Sequence, residues 1–306
     1  MPYVSINERV RLYYEEKGEG PPLLFIHPPG LGHVIFRQQE PLARHFRLIL
    51  YDMRGNGRSS PSDVPITVPL LADDVSILLR FLGVERAIVC GYSNGGSIAL
   101  DFALRYPQHV EQLVLIGGFP EVCTPLLYGE FCLGISAVKL GAFSLLSSAL
   151  AIGHGTNRRE RKLFKQYVQL ADKRDLDTTY RAGLVYCCTG QLSSLRLPLL
   201  LIYGARDRYI HPYIAMFRRY VPHADIVFID WARHQIPTKH SSELNSILRV
   251  YGRRKSVERK EGKRMSKKGR QNKVSQEVAN PTVSKAEAEM AKDSIDTAKQ
   301  AKKNRS

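Results

Sequence analysis

Short continuous apolar runs alternate with helix-like segments along most of this chain. Leu23 to Ile26, Phe46 to Tyr51, Ala87 to Cys90, Gln112 to Ile116, Leu197 to Tyr203 and Asp225 to Ile229 are such runs. Runs that lack a regular polar alternate suit strands buried on both faces. Ahead of them, Tyr3 to Ile6 and Arg9 to Glu15 alternate, which predicts two half-exposed strands with a turn near Asn7 and Glu8. Val68 to Leu82 has helical spacing, with Asp73 and Asp74 on its polar side and Gly83 as its stop. Ile98 to Leu104, Met216 to Tyr220 and Lys239 to Val250 predict further helices. Strands alternating with helices predict an α/β protein, a mostly parallel sheet with helices on both faces.

The pattern changes from about Cys123 to Ser194, where strands vanish and helical segments take over. About 70 residues between two strands is too long for a loop. The expected organisation is a core from 1–122 and 195–251, with a helical cap, 123–194, inserted after the sixth strand. In open α/β sheets, ligands bind beyond the strand ends that such a cap would cover. Phe131 to Ile152 is almost wholly apolar and long enough for a bilayer span. Lys139, the interrupting glycines and Ser144, Ser147 and Ser148 argue instead for an apolar cap lining a pocket, so no integral membrane span is expected.

Charge separates the end of the chain from the rest. The formal net charge is +16, of which residues 252–306 carry 17 Lys and Arg against 7 Asp and Glu, or +10. That stretch has no aromatic residue and few large aliphatics, so a disordered basic tail is expected. Its charge suits unspecific, salt-sensitive binding to anionic lipid or nucleic acid. Five cysteines without C-x-x-C spacing, and an N-terminus that starts on strand-like residues, predict reduced thiols and a cytoplasmic protein.

The candidate chemistry sits at Gly91-Tyr-Ser-Asn-Gly95, a G-x-S-x-G between a predicted strand and a predicted helix. There the chain turns sharply and presents Ser93 at the tip. A Cβ at Gly91 or Gly95 would meet neighbouring backbone. The Asn94 N–H opens the helix, where orphan donors and the helix dipole favour negative charge, as half of an oxyanion hole. A serine needs a base, and the base an orienting carboxylate. His234 follows the last predicted strand and precedes the closing helix, at the sheet edge where Ser93 points. Asp207 lies just past the strand ending at Tyr203, and Glu121, past the strand ending at Ile116, is the alternative acid. His27 suits backbone contacts in a Pro/Gly loop; His33, His154 and His211 are candidates to line the cavity. His45, His109, His223 and His240 flank helices and are expected to face solvent.

Residues 3–251 resemble the α/β-hydrolase fold superfamily, in its serine esterase/lactonase/haloperoxidase-like group. The resemblance is carried by His27-Pro-Pro-Gly30, Asp52-Met-Arg-Gly-Asn-Gly-Arg-Ser59, Gly91 to Gly95, Gly204-Ala-Arg-Asp207 with Pro212, and His234. It implies Ser93, Asp207 and His234 as catalytic residues, with no cofactor or metal, and a small or medium apolar ester, thioester or lactone as substrate. Tyr92, Phe119 and His33 are the expected substrate-binding side chains. A C–C bond hydrolase, a cofactor-free perhydrolase and a low-turnover ligand-binding relative remain alternatives. The family's second oxyanion donor is the N–H two residues after the loop histidine. Here that residue is Pro29, which has no N–H, so Gly30 or Leu31 is expected to donate instead.

Overall fold

Alternate residues of the central strands belong to two different cores, which is why those strands read as unbroken apolar runs. Leu24, Ile26, Val89 and Leu115 face one cluster; Phe25, Cys90, Val114 and Ile116 face the other. The computed structural model describes residues 2–252. The basic tail and its expected disorder and binding lie outside the described residues.

The strands are β1 (Tyr3–Ser5), β2 (Arg11–Lys17), β3 (Pro22–Ile26), β4 (Arg47–Tyr51), β5 (Ala87–Tyr92), β6 (Val110–Ile116), β7 (Leu199–Gly204) and β8 (Asp225–Ile229). Among the described residues they form one sheet in the order β1-β2-β4-β3-β5-β6-β7-β8. β1 and β2 are antiparallel to each other and β2 to β4; from β4 to β8 every pair is parallel. Helices α1 (Val68–Phe81) and α2 (Asn94–Arg105) bury Leu71, Val75, Leu78, Ile98 and Phe102 in the first cluster. A 3-10 helix, His33–Arg44, and helical residues 241–252 bury Val34, Phe36, Leu244 and Leu248 in the second.

Between β6 and β7 come α3 (Pro125–Lys139), α4 (Phe143–His154), α5 (Arg158–Gln169) and α6 (Lys173–Val185). Thr124, Asn157 and Asp172 cap α3, α5 and α6 with side-chain oxygens that accept from Leu127, Glu160 and Asp175 N–H. After β7, α7 (Pro212–Tyr220) and α8 (Ile236–Lys239) flank β8.

Three features differ from the sequence reading. β2 begins at Arg11 because Asn7 Oδ1 accepts from the N–H groups of Arg9 and Val10, which draws those residues into the turn. The apolar run Phe131 to Ile152 is broken into two helices at Leu140–Ala142, where Gly141 has φ 72°. No helix among the described residues is long and apolar enough to cross a membrane. The 3-10 helix His33–Arg44 carries no clear period in the sequence, because Pro41 and the polar run Arg37 to Glu40 interrupt it.

Candidate active site

β5 ends at Tyr92, α2 begins at Asn94, and Ser93 between them has φ 53° and ψ −125°. That left-handed backbone costs a non-glycine residue about 1–3 kcal/mol. It is held by Ser93 N–H donating to Ile116 O at 2.9 Å and by Gly96 N–H donating to Ser93 O at 2.8 Å. The flanking glycines are required by close approach. A Cβ on Gly91 would lie 2.6 Å from Gly95 O and from Gly96 Cα; one on Gly95 would run into Ile26 O.

His234 Nε2 is 2.9 Å from Ser93 Oγ, and His234 Nδ1 is 2.8 Å from Asp207 Oδ2. The carboxylate fixes the tautomer: Nδ1–H donates to Asp207, which leaves the Nε2 lone pair to accept the Ser93 O–H. His234 and Asp207 are buried, while Ser93 is partly exposed and so reachable. Burial works to lower the His234 pKa, but the hydrogen bond and charge of Asp207, with a smaller contribution from Glu130, outweigh it and hold the pKa above the usual value of 6.5. Tyr92 O–H donates to His234 O at 3.1 Å, and the Tyr92 and Tyr209 rings each centre 5.5 Å from the imidazole. Gly117 passes beneath it at φ 57°; a Cβ there would sit 2.8 Å from His234 Cε1.

On the other side of Ser93, the Asn94 N–H stands at the start of α2. Gly30 does not supply a second free donor. Its N–H donates to Asn56 Oδ1 at 2.8 Å, and Asn56 is in turn held by its own Nδ2 donating to Arg54 O at 3.0 Å. With Pro29 lacking a proton and Gly30 engaged, Leu31 is the remaining member of the expected pair.

The other predicted contacts resolve differently. Tyr92 and Phe119 have no accessible surface, so neither lines a space open to a water-sized molecule. Tyr92 instead supports the His234 loop, and Phe119 packs against Phe131 and Tyr213. His33 is engaged by two carboxylates rather than by Ser93 or His234. Its Nδ1 lies 2.9 Å from Asp52 and its Nε2 3.3 Å from Glu15. Burial opposes the charged form, but these two carboxylates prevail and raise its pKa to about 9. It serves as a buried cation beside a polar cavity of about 190 Å³ that includes neither Ser93 nor His234.

Asp52, Arg54 and Arg58 build the turn beside it. Asp52 accepts from the His33 and Arg58 N–H groups, and Arg54 makes a two-pronged, buried pair with Asp74. His27 Nε2 accepts from Met53 N–H, and complete burial lowers its pKa to about 4, so it stays neutral. Glu121 accepts from the Cys187 thiol and does not pair with His234. His211 bonds Gly204 O through Nε2.

Two residues of the helical insert come close to the site: His154, expected from the sequence to line the cavity, and Gly183, which no sequence signal singles out. His154, at the end of α4, meets Tyr92 edge-on at 6.0 Å, and burial followed by the nearby His234 lowers its pKa to about 3. Gly183 of α6 backs onto the Asn94 amide. Among the described residues no group of three His, Cys, Asp or Glu converges as metal ligands.

A family model described as alpha/beta hydrolase fold matches residues 21–130. RutD of Azorhizobium caulinodans, provisionally named a carbamate hydrolase, is 26% identical over 260 residues, covering 81% of this chain and 97% of that protein. Among solved structures, Est816, described as an N-acyl homoserine lactone degrading enzyme, is 28% identical with TM-score 0.66, covering 82% of this chain and 100% of its own. A hydrolase from Pseudomonas aeruginosa PA01 is 25% identical with TM-score 0.72, over 82% of this chain and 97% of its own. The sheet order, the Ser93 turn and these likenesses agree: the chain has the α/β-hydrolase fold and is similar to hydrolases of that fold.

Proposed function

We propose that the protein is a serine hydrolase that cleaves a carboxylic ester, thioester or lactone of a small-to-medium apolar acyl compound. The observation that carries this reading is the chain of contacts from Ser93 Oγ to His234 at 2.9 Å and on to Asp207 at 2.8 Å. His234 Nε2 takes the Ser93 proton as Oγ attacks the carbonyl carbon. The developing oxyanion is held by the N–H groups of Asn94 and Leu31. His234 then gives its proton to the leaving oxygen or sulfur, and the acyl group stays on Ser93. Water, deprotonated by His234, attacks that acyl group; Ser93 leaves and recovers its proton. Asp207 stabilises the imidazolium formed in each half.

In this reading the helical segment 123–194 is a cap over the Ser93 turn, and its contacts through His154 and Gly183 support that. The apolar character of α3 and α4 favours an apolar acyl group. The lactone named for Est816 and the carbamate named for RutD offer the same electrophilic carbonyl, so both belong in a substrate survey. The five free cysteines suit a reducing cytosol.

A panel of p-nitrophenyl esters from acetate to decanoate, with an acyl homoserine lactone and a simple carbamate, tests the proposal. Turnover is expected on short and medium acyl chains, falling for the longest. Folded protein with no turnover above buffer on any carbonyl compound would contradict it and favour a ligand-binding relative.

A further inference from the structure

Helices α3 and α4 carry an apolar face that no described residue covers. Leu126, Leu133 and Leu140 recur every seven residues, which sets them along one side of α3 and its C-cap. Leu145, Ala149 and Ile152 follow helical spacing on α4. Leu126, Leu133, Leu140 and Leu145 are between 71% and 82% exposed, and Ile152 is 61% exposed. A Cβ built on Gly129, Gly141 or Gly153 would meet nothing within 4 Å, so the surroundings are open. The same helices already send Leu127, Phe131, Ile135, Phe143 and Ala151 inward, so the core does not need the outer leucines. An exposed apolar patch of this kind on a single chain marks an interaction surface.

Charge selects the occupant. α5 packs against α4 and shows Arg158, Arg159, Arg161 and Lys162 to solvent. Its acidic residue, Glu160, is turned back onto Thr156 and Gln38. Lys173, at the start of α6, stands over the Phe143 ring at 5.6 Å. A second copy of this chain would bring the same leucines but also the same cations, on a molecule whose formal net charge is +16. An anionic surface meets both features. The helices are 15 and 12 residues long, shorter than the roughly 20 needed to span a bilayer but suited to lying within its interface. We propose that the outer face of α3 and α4 docks on an anionic lipid surface, with its leucines at the headgroup–acyl boundary and the α5 cations against lipid phosphates.

Co-sedimentation of the full-length chain with vesicles tests this, comparing phosphatidylglycerol/phosphatidylcholine mixtures with pure phosphatidylcholine at low and high salt. Binding to the anionic vesicles is expected, weakened by salt and much weaker on phosphatidylcholine. Leu133→Glu with Leu145→Glu should reduce it by roughly tenfold or more, and Arg159→Gln with Lys162→Gln by several-fold, with circular dichroism unchanged. If both double variants bind as the wild type does, the contact belongs to basic residues elsewhere and the proposal fails. Equal binding to pure phosphatidylcholine, or no binding to either, also overturns it. So does a wild-type dimer in sedimentation velocity that the glutamate variant converts to a monomer, because the face would then be a self-contact.

Discussion

Ser93→Ala is expected to lower kcat for ester hydrolysis by on the order of 10⁶ while leaving the fold intact. The hydroxyl is the only atom lost, and alanine keeps the Cβ that the tight turn already accommodates. The positive φ of Ser93 is no easier for alanine, so the strain is retained rather than relieved. Residual catalysis should come from the Asn94 N–H and substrate binding, which the substitution leaves in place. Steady-state kinetics with circular dichroism checks this. A folded variant that retains a tenth of the wild-type rate would mean that Ser93 is not the group acylated.

Asp207→Asn is the second large effect, expected to cost on the order of 10⁴ in kcat. Asparagine fills the same space but can present its NH₂ to His234 Nδ1. The imidazole would then carry its proton on Nε2, where it faces Ser93 and cannot act as the base. The pH profile should change as well. In the proposed mechanism the wild type needs neutral His234, so kcat/KM is expected to rise with pH through an inflection above 6.5, because Asp207 favours the charged imidazole against burial. Removing the carboxylate leaves burial as the leading influence, and burial disfavours the imidazolium. The residual activity should therefore reach its plateau at lower pH. An inflection that stays in place would assign the pH dependence to another group.

The parts of this molecule legible in its sequence are those fixed by short-range pattern. Strands such as β5, whose six positions are all buried, announce themselves because both faces need apolar residues. The Ser93 turn is legible because its geometry demands Gly91 and Gly95 within four residues. His234 and Asp207 could be named because each follows a strand at the edge where that turn opens, and the structure brings both within hydrogen-bond distance of their neighbours. The misread positions depend on partners distant in sequence. Gly30 looked free until Asn56 took its N–H. His33 reads as a residue of the Ser93 cavity because nothing local shows that Glu15 and Asp52 close on its two nitrogens beside a different cavity. Tyr92 adjoins Ser93 in sequence and Phe119 follows the end of β6, yet packing against other elements consumes their surfaces. No local pattern singles out Gly117; its role in admitting the His234 ring shows only in the folded chain.

Labelling with a fluorophosphonate, followed by peptide mass spectrometry, measures most directly whether Ser93 is an activated nucleophile. Stoichiometric modification is expected on the peptide containing Ser93, strongly slowed in His234→Ala and absent in Ser93→Ala. Folded wild-type protein that stays unlabelled, or that is labelled on a different residue, would contradict the assignment of Ser93, His234 and Asp207 as one catalytic unit.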